Sequence, residues 1–175
     1  TSLPGASAGI TAVSMGGLSS RRFVFEGFLP PEKNERKKVL DRMSADIRTQ
    51  VIYEAPHHIK KTLKDILEAL GDRTICICRE LTKIHESVMT FKVSEAISYY
   101  EAEEPKGEMV VVIEGADESE ILMQEQMSWQ SMTLEEHMQL YLSQGLSEKD
   151  AMKKVASDRG VPKRDIYNIL KTGKE

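Results

Sequence analysis

Two short β-branched runs, Val51-Ile52-Tyr53 and Thr74-Ile75-Cys76-Ile77-Cys78, flank a stretch in which Ile59, Leu63, Ile66, Leu67 and Leu70 recur at helical spacing. The runs suit buried strands, and the spacing gathers the five apolar residues on one helical face. Pro56 disfavours helix at Ala55, so the helix starts beyond it, and Gly71 stands where a C-cap belongs. Strand, helix and strand of this length form a βαβ unit whose two strands run parallel. Both strands then end at one edge of the sheet. The first brings Tyr53, Glu54, His57 and His58 there, and the second brings Arg79, Glu80, Thr82, Lys83, His85 and Glu86. Ligands of open α/β sheets bind at that carboxyl edge. The polar residues are therefore a candidate site as a group, although each taken singly also fits a solvated loop.

The rest of the chain builds around this unit. A small-residue opening leads into a helix over residues 10–15, ended by Gly16-Gly17. A strand over 22–29 stops at Pro30-Pro31, and a charged helix over 32–43 turns Val39, Leu40 and Met43 inward. Residues 87–91 read as a strand antiparallel to the one before it. A helix over 93–100 follows, with Ser94 as N-cap. The run Met109-Val110-Val111-Val112-Ile113, bracketed by Gly107 and Gly115, has the character of a central buried strand. The expected fold for residues 1–115 is α/β, with a mixed, mainly parallel sheet flanked by helices. Residues 116–132, acidic and carrying the only tryptophan, Trp129, read as a linker with some helix. Residues 133–175 read as three short helices. Thr133-x-x-Glu136 and Ser147-x-x-Asp150 have the capping-box pattern, and Gly145 and Gly160 punctuate the first two helices. The spacing of Ala151, Val155, Gly160, Ile166 and Leu170 is that of a helix-turn-helix, or of a plain helical cap.

Apolar residues make up 40% of the 175 positions, enough for a core, and no apolar run approaches the length of a membrane span. Cys76 and Cys78 fall on the same face of one strand, and no second pair completes a structural zinc site. Reduced thiols in a cytoplasmic protein are the expectation, with no metal. The net charge of −4 hides a basic segment between Pro31 and Lys64, an acidic one from Glu101 to Glu136, and a basic tail. Local patches of this kind are compatible with a polyanionic partner.

Five motifs occur in order: Leu3-Pro4-Gly5-Ala6-Ser7-Ala8, Phe25-Glu26-Gly27-Phe28-Leu29-Pro30, Tyr53-Glu54-Ala55-Pro56-His57, Arg79-Glu80-Leu81-Thr82-Lys83 and Lys106-Gly107-Glu108. Together they resemble the ribosomal RNA small-subunit methyltransferase I family, within the tetrapyrrole-methylase superfamily. The resemblance runs from Leu3 to Gly115 and, through the terminal helices, over nearly the whole chain. It implies two α/β domains with S-adenosylmethionine in the cleft between them. This chain resembles the second domain and the tail, with the first domain missing. The implied activity is methyl transfer to a cytidine ribose 2′-oxygen in the decoding region of small-subunit ribosomal RNA, by a homodimer.

Carried over by resemblance, Ser7, Ala8, Tyr53, Glu54, Gly107, Glu108 and Met109 would surround the cofactor. Arg79, Glu80, Lys83 and Glu86 would lie near the acceptor, and Lys37, Lys38, His57, Lys163 and Arg164 would meet RNA. A ribose hydroxyl is a poor nucleophile, so its site must orient it and help remove its proton. Lys83, desolvated beside Arg79, would have a lowered pKa, with Glu80 or Glu86 orienting it. Arg79 and Glu80 also fit a structural ion pair. Two other classes remain: a methylase acting on a small tetrapyrrole-like substrate, which the basic segment and tail argue against, and a non-enzymatic nucleic-acid-binding module.

Overall fold

Five strands form one sheet in the order β1 (Phe23–Phe28), β2 (Thr49–Glu54), β5 (Met109–Ile113), β3 (Thr74–Arg79), β4 (Ser87–Lys92). The structure, a computed structural model, describes residues 5–172. The sheet is mixed, as expected, but its pairing corrects the mainly parallel expectation. Only β1 and β2 pair in parallel, while β2–β5, β5–β3 and β3–β4 are antiparallel. The two strands of the βαβ unit do run in the same direction, with β5 inserted between them. All five residues of β5 are buried, and such a strand is stable only when paired on both edges. The insertion leaves the shared carboxyl edge intact and adds to it: Met109, the first residue of β5, sits between Glu54 and Arg79.

The two faces of the sheet are covered unequally. Helices α2 (Lys33–Ser44), α3 (Ile59–Leu70) and α4 (Val93–Ala102) bury Leu40, Met43, Leu63, Ile66, Ala96 and Tyr100 with Ile52, Ile75, Ile77, Val111 and Ile113. On the other face the eight-residue helix α1 (Ala8–Met15) sets Ala12 and Val13 against Val51, Cys76, Cys78, Val110 and Val112. Because α1 is short, Phe23, Phe25 and Phe28 of the edge strand stay exposed. Both cysteines are free, buried and on this one face, their sulfurs 3.9 Å apart.

Ser94 is not the N-cap of α4. Strand β4 runs directly into the helix, the cap falls at Lys92, and Ser94 gives both its N–H and its hydroxyl to the Asp72 carboxylate at 2.8 Å.

The chain divides between Asp117 and Glu118 into two units. In the second, the stretch expected as a linker with some helix is helix α5 (Glu118–Ser131). Helices α6 (Leu134–Ser143), α7 (Glu148–Asp158) and α8 (Lys163–Thr172) enclose a core of Leu134, Met138, Tyr141, Ala151, Met152, Val155, Ala156 and Ile166. Thr133 and Ser147 cap α6 and α7 by accepting the N–H groups of Glu136 and Asp150. His137 is fully buried in this unit: its Nδ1 accepts from Arg159 Nε at 3.2 Å, and its Nε2 lies 3.4 Å from Asp158. Among the described residues no helix is long and apolar enough to cross a membrane, and no cluster of side chains could hold a metal ion.

Candidate functional site

The carboxyl edge opens into a cavity of about 490 Å³ on the α1 face, within the range of about 300–1,000 Å³ usual for small-molecule sites. Its floor is a row across three strands, Tyr53, Val110 and Cys78, set side by side by the strand register. Ala8, Phe28, Ala55, Pro56, Leu81, Glu108 and Met109 form the walls and mouth.

Phe28 reaches this cavity through a bulge. Phe25 pairs with Val51 and Gly27 with Ile52, so Glu26 is an extra residue on β1, and Gly27 takes φ +70°. In a regular strand the alternation of side chains would send Phe28 to the opposite face from Phe25, and the extra residue corrects this. With it, both rings meet Tyr53 edge-on, at centroid distances of 4.9 and 5.6 Å. The Tyr53 hydroxyl accepts the Gly9 N–H at 3.2 Å and so ties the first turn of α1 to the cavity floor. Ser7, the N-cap, makes no side-chain cap bond. Apart from the Gly9 N–H, which Tyr53 takes, the start of α1 has no side-chain cap and leaves its other first-turn donors at the cavity wall, suited to a carboxylate. Beneath the cavity Cys78 is a buried lining: its hydrogen bond with Cys76, and then burial, push its thiol up.

At the rim the end of β3 meets the start of β5. The Glu80 carboxylate accepts the Glu108 N–H at 2.9 Å, and Lys83 Nζ lies 3.1 Å from Glu80 and 3.3 Å from Glu108. The Glu108 N–H first, and Lys83 second, hold the Glu80 carboxyl below the ordinary carboxylate range. Lys83 is half exposed, and its hydrogen bonds to Glu80 and Glu108 raise its pKa above the ordinary lysine value. The expected lowering of Lys83 is therefore overturned. The lysine is bracketed by two carboxylates in solvent and is not desolvated beside a second cation.

The structure brings together Ala8, Tyr53, Glu54, Glu108 and Met109 at the cavity, with Glu80 and Lys83 at its rim. Other expected residues sit elsewhere. Gly107 does not line the cavity but lies beneath the Glu80 side chain. Glu54 borders the cavity but is buried, with its carboxylate turned to Ala55 N–H and to Thr62. Arg79 donates to Ser87 at 3.2 Å and makes no ion pair with Glu80 among the described residues. Glu86 accepts the Thr82 N–H at 2.6 Å and does not orient Lys83. Leu3 and Pro4 of the opening motif lie outside the described residues. Sequence reasoning missed Phe28, Ala55, Pro56, Leu81, Cys78 and Val110 as lining residues. The first four stand within the five motifs, and the last two follow only from the strand order.

Among the expected RNA contacts, Lys37 is exposed but paired with Asp41 at 2.8 Å, and His57 is exposed against the His58 ring. Lys38 lines an open groove with Glu35, Asp41 and Arg42. In the second unit Arg164 is exposed, whereas Lys163 is half-buried and donates to the Lys149 carbonyl at 3.1 Å.

Residues 1–97 match the family model described as tetrapyrrole (corrin/porphyrin) methylases. The chain is 41% identical over 167 residues to a protein of Halalkalibacterium halodurans named ribosomal RNA small subunit methyltransferase I, covering 95% of this chain and 57% of that one. A protein of the same name from Bacillus subtilis is 42% identical over 166 residues, covering 95% and 56%. The chain thus spans a little over half the length of the curated relatives it matches. Among solved structures the methyltransferase CobJ matches with TM-score 0.52 at 17% identity, covering 65% of this chain and 49% of that chain, a likeness of fold alone.

Proposed function

The chain belongs to the tetrapyrrole methylase family, and from that premise we propose that its first unit forms part of the S-adenosylmethionine site of a 2′-O-ribose methyltransferase acting on small-subunit ribosomal RNA. The observation that carries the reading is the cavity at the carboxyl edge, where Ala8, Tyr53, Glu108 and Met109 converge from separate stretches of sequence. Its chemistry fits the cofactor. A mostly apolar cavity with Tyr53 in its floor suits an adenosine, and the remaining donors at the start of α1 suit the methionine carboxylate.

S-adenosylmethionine, when bound, supplies an electrophilic methyl group on a sulfonium sulfur. The protein's own residues then have three tasks. Tyr53, Phe28 and Met109 exclude water from one side of the cavity. The start of α1 receives an anionic group. The Lys83 ammonium, with two of its three donors on Glu80 and Glu108, has one left at the rim to orient an acceptor ribose. Lys83 is thus an orienting cation in this reading and not the base that removes the hydroxyl proton.

The ribosomal RNA substrate is supported by the names of the relatives and by the basic residues of α2 and of the second unit. The exposed row Phe23, Phe25 and Phe28 on the edge strand is compatible with self-association as a homodimer. Calorimetry with S-adenosylmethionine on this chain, and on a version extended at its N-terminus to the length of the relatives, tests the reading. Labelled methyl transfer to small-subunit RNA by the extended version completes it. The extended version should bind at micromolar levels and transfer label, and the chain alone should bind weakly. Failure of the extended version to bind S-adenosylmethionine would exclude the assignment.

A further inference from the structure

Behind the cavity, on the opposite face of the sheet, four polar side chains form a relay of hydrogen bonds that nothing in the proposed chemistry uses. Arg36 on α2 is buried, with 8% of its surface exposed. Its Nε donates to Asp65 at 2.6 Å and its Nη2 donates to the Thr62 hydroxyl at 2.7 Å. A guanidinium donates only, so the single Thr62 hydroxyl proton is left for its other neighbour, the Glu54 carboxylate, to which it makes a short hydrogen bond. The second Glu54 oxygen accepts the Ala55 N–H at 2.8 Å. Every group in the relay has one role fixed by its partner, running from α2 through α3 to the end of β2.

The relay ends where the cavity begins. Ala55 and Pro56 form a wall of the cavity and follow Glu54 directly. No strand pairing holds them, since β2 ends at Glu54. Burying an arginine and a glutamate is costly, and such groups hold a fold together no better than apolar residues of the same size. What they supply is geometry, because a carboxylate held at both oxygens permits one orientation of the turn that follows it.

We propose that Arg36 and Thr62 are positioning residues for cofactor binding: they lock the Glu54 carboxylate, and through it the Ala55–Pro56 wall. Neither can touch a ligand in the cavity, because both lie on the other face of the sheet. The proposal rests on the reading of the cavity as a cofactor site.

The test uses the N-terminally extended protein and three variants: Thr62→Val, which keeps shape and removes the hydroxyl; Thr62→Ser, which restores it; and Arg36→Met. Melting temperature and S-adenosylmethionine affinity are measured for each, the affinity well below every melting point. Thr62→Val should bind about tenfold more weakly, the scale of one missing hydrogen bond to a charged group, with its far-ultraviolet circular dichroism intact. Thr62→Ser should bind within about twofold of the unsubstituted protein, since the relay's donor and acceptor are both restored. Arg36→Met should follow Thr62→Val, and if it does not fold the threonine pair still decides the matter. A lower melting temperature with unchanged affinity in Thr62→Val would reduce the relay to a structural element and overturn the proposal. Absence of binding by the unsubstituted protein would overturn the cofactor reading and the relay together.

Discussion

Glu80 and Glu108 hold each other twice: the Glu80 N–H donates to the Glu108 carbonyl at 3.0 Å, and the Glu108 N–H donates to the Glu80 carboxylate at 2.9 Å. This reciprocal clamp joins the end of β3 to the entry of β5, strands far apart in sequence but adjacent in the sheet. It also accounts for backbone that side chains rarely adopt. Glu80 and Thr82 take φ of 51° and 66°, which a free loop would relax. The clamp and the Glu86 carboxylate on the Thr82 N–H keep the loop in that form beside the cavity.

Gly107 is where the clamp is most exposed to mutation. Its φ is +77°, and an added Cβ would stand 2.4 Å from Glu80 Cγ. Gly107→Ala should therefore cost about 1 kcal/mol or more in backbone strain alone, and it should also expel the Glu80 side chain. In a Glu80→Ala background the same substitution should cost less. Urea denaturation of the four proteins in this cycle measures the difference, and strict additivity would refute the contact.

The raised pKa of Lys83 makes a second expectation. Its pairing contributes fully below the ordinary lysine value of 10.5 and is lost as pH rises through the still higher folded value. At neutral pH it is a fixed cation. Lys83→Arg in the extended enzyme should retain most activity, whereas Lys83→Met should lose it with little effect on cofactor affinity. An inactive Lys83→Arg would restore the general-base reading.

His137 titrates in the opposite sense. Burial, and then the Arg159 charge, lower its pKa below the ordinary 6.5, against the pull of Asp158. The neutral ring stabilises the second unit above pH 6.5, and that contribution is lost as pH falls from there through the folded value. Trp129 stacks on this ring at 5.8 Å and is the only tryptophan, so its fluorescence reports the unit directly. The urea midpoint followed at Trp129 should fall between about pH 7 and pH 5, the span over which an ordinary histidine titrates. In His137→Gln the midpoint should be lower overall and flat over the same interval. A sloping midpoint in His137→Gln would assign the titration to another group.

Much of the fold was legible because local signals and packing agree. The β-branched runs at Val51, Ile75 and Val111 became strands, and Thr133, Ser147, Gly71 and Gly160 punctuate helices as their chemistry requires. The position of β5 between β2 and β3 was hidden, because pairing Val111 with both Ile52 and Ile77 is a property of the sheet and of no local stretch. The same limit governed the site. Lys83 looked like a candidate base while its neighbours were counted along the chain, yet its second partner, Glu108, arrives from a distant strand. Arg36 belongs by sequence to a charged helix, and only the packing of α2 on α3 reveals it as buried.

The basic tail yields the last expectation, which the structure sharpens by showing which cations are already engaged. Arg159 donates to the carbonyls of Met132 and Thr133 at 2.6 and 3.1 Å and to His137, so it holds the unit together. Lys154 lies 3.7 Å from Asp158, and Lys163 binds the Lys149 carbonyl. Lys153, Arg164 and Lys171 are exposed on α7 and α8, with no such engagement among the described residues. If the second unit binds RNA through phosphates, those three should carry the binding together with Lys149, which is also exposed on α7. Removing one cation from a phosphate should then reduce the salt slope of binding by roughly 0.7–0.9, because fewer counterions are released. Lys153→Ala with Arg164→Ala should weaken binding to a small-subunit RNA fragment and flatten its salt dependence at unchanged melting temperature. Arg159→Ala should instead lower the melting temperature of the unit. A unit that serves only as a packing cap predicts the reverse for the double variant, an unaltered slope with a shifted oligomeric state. Binding across a salt series beside sedimentation of the same proteins separates the two, and an unaltered slope would end the RNA-binding reading.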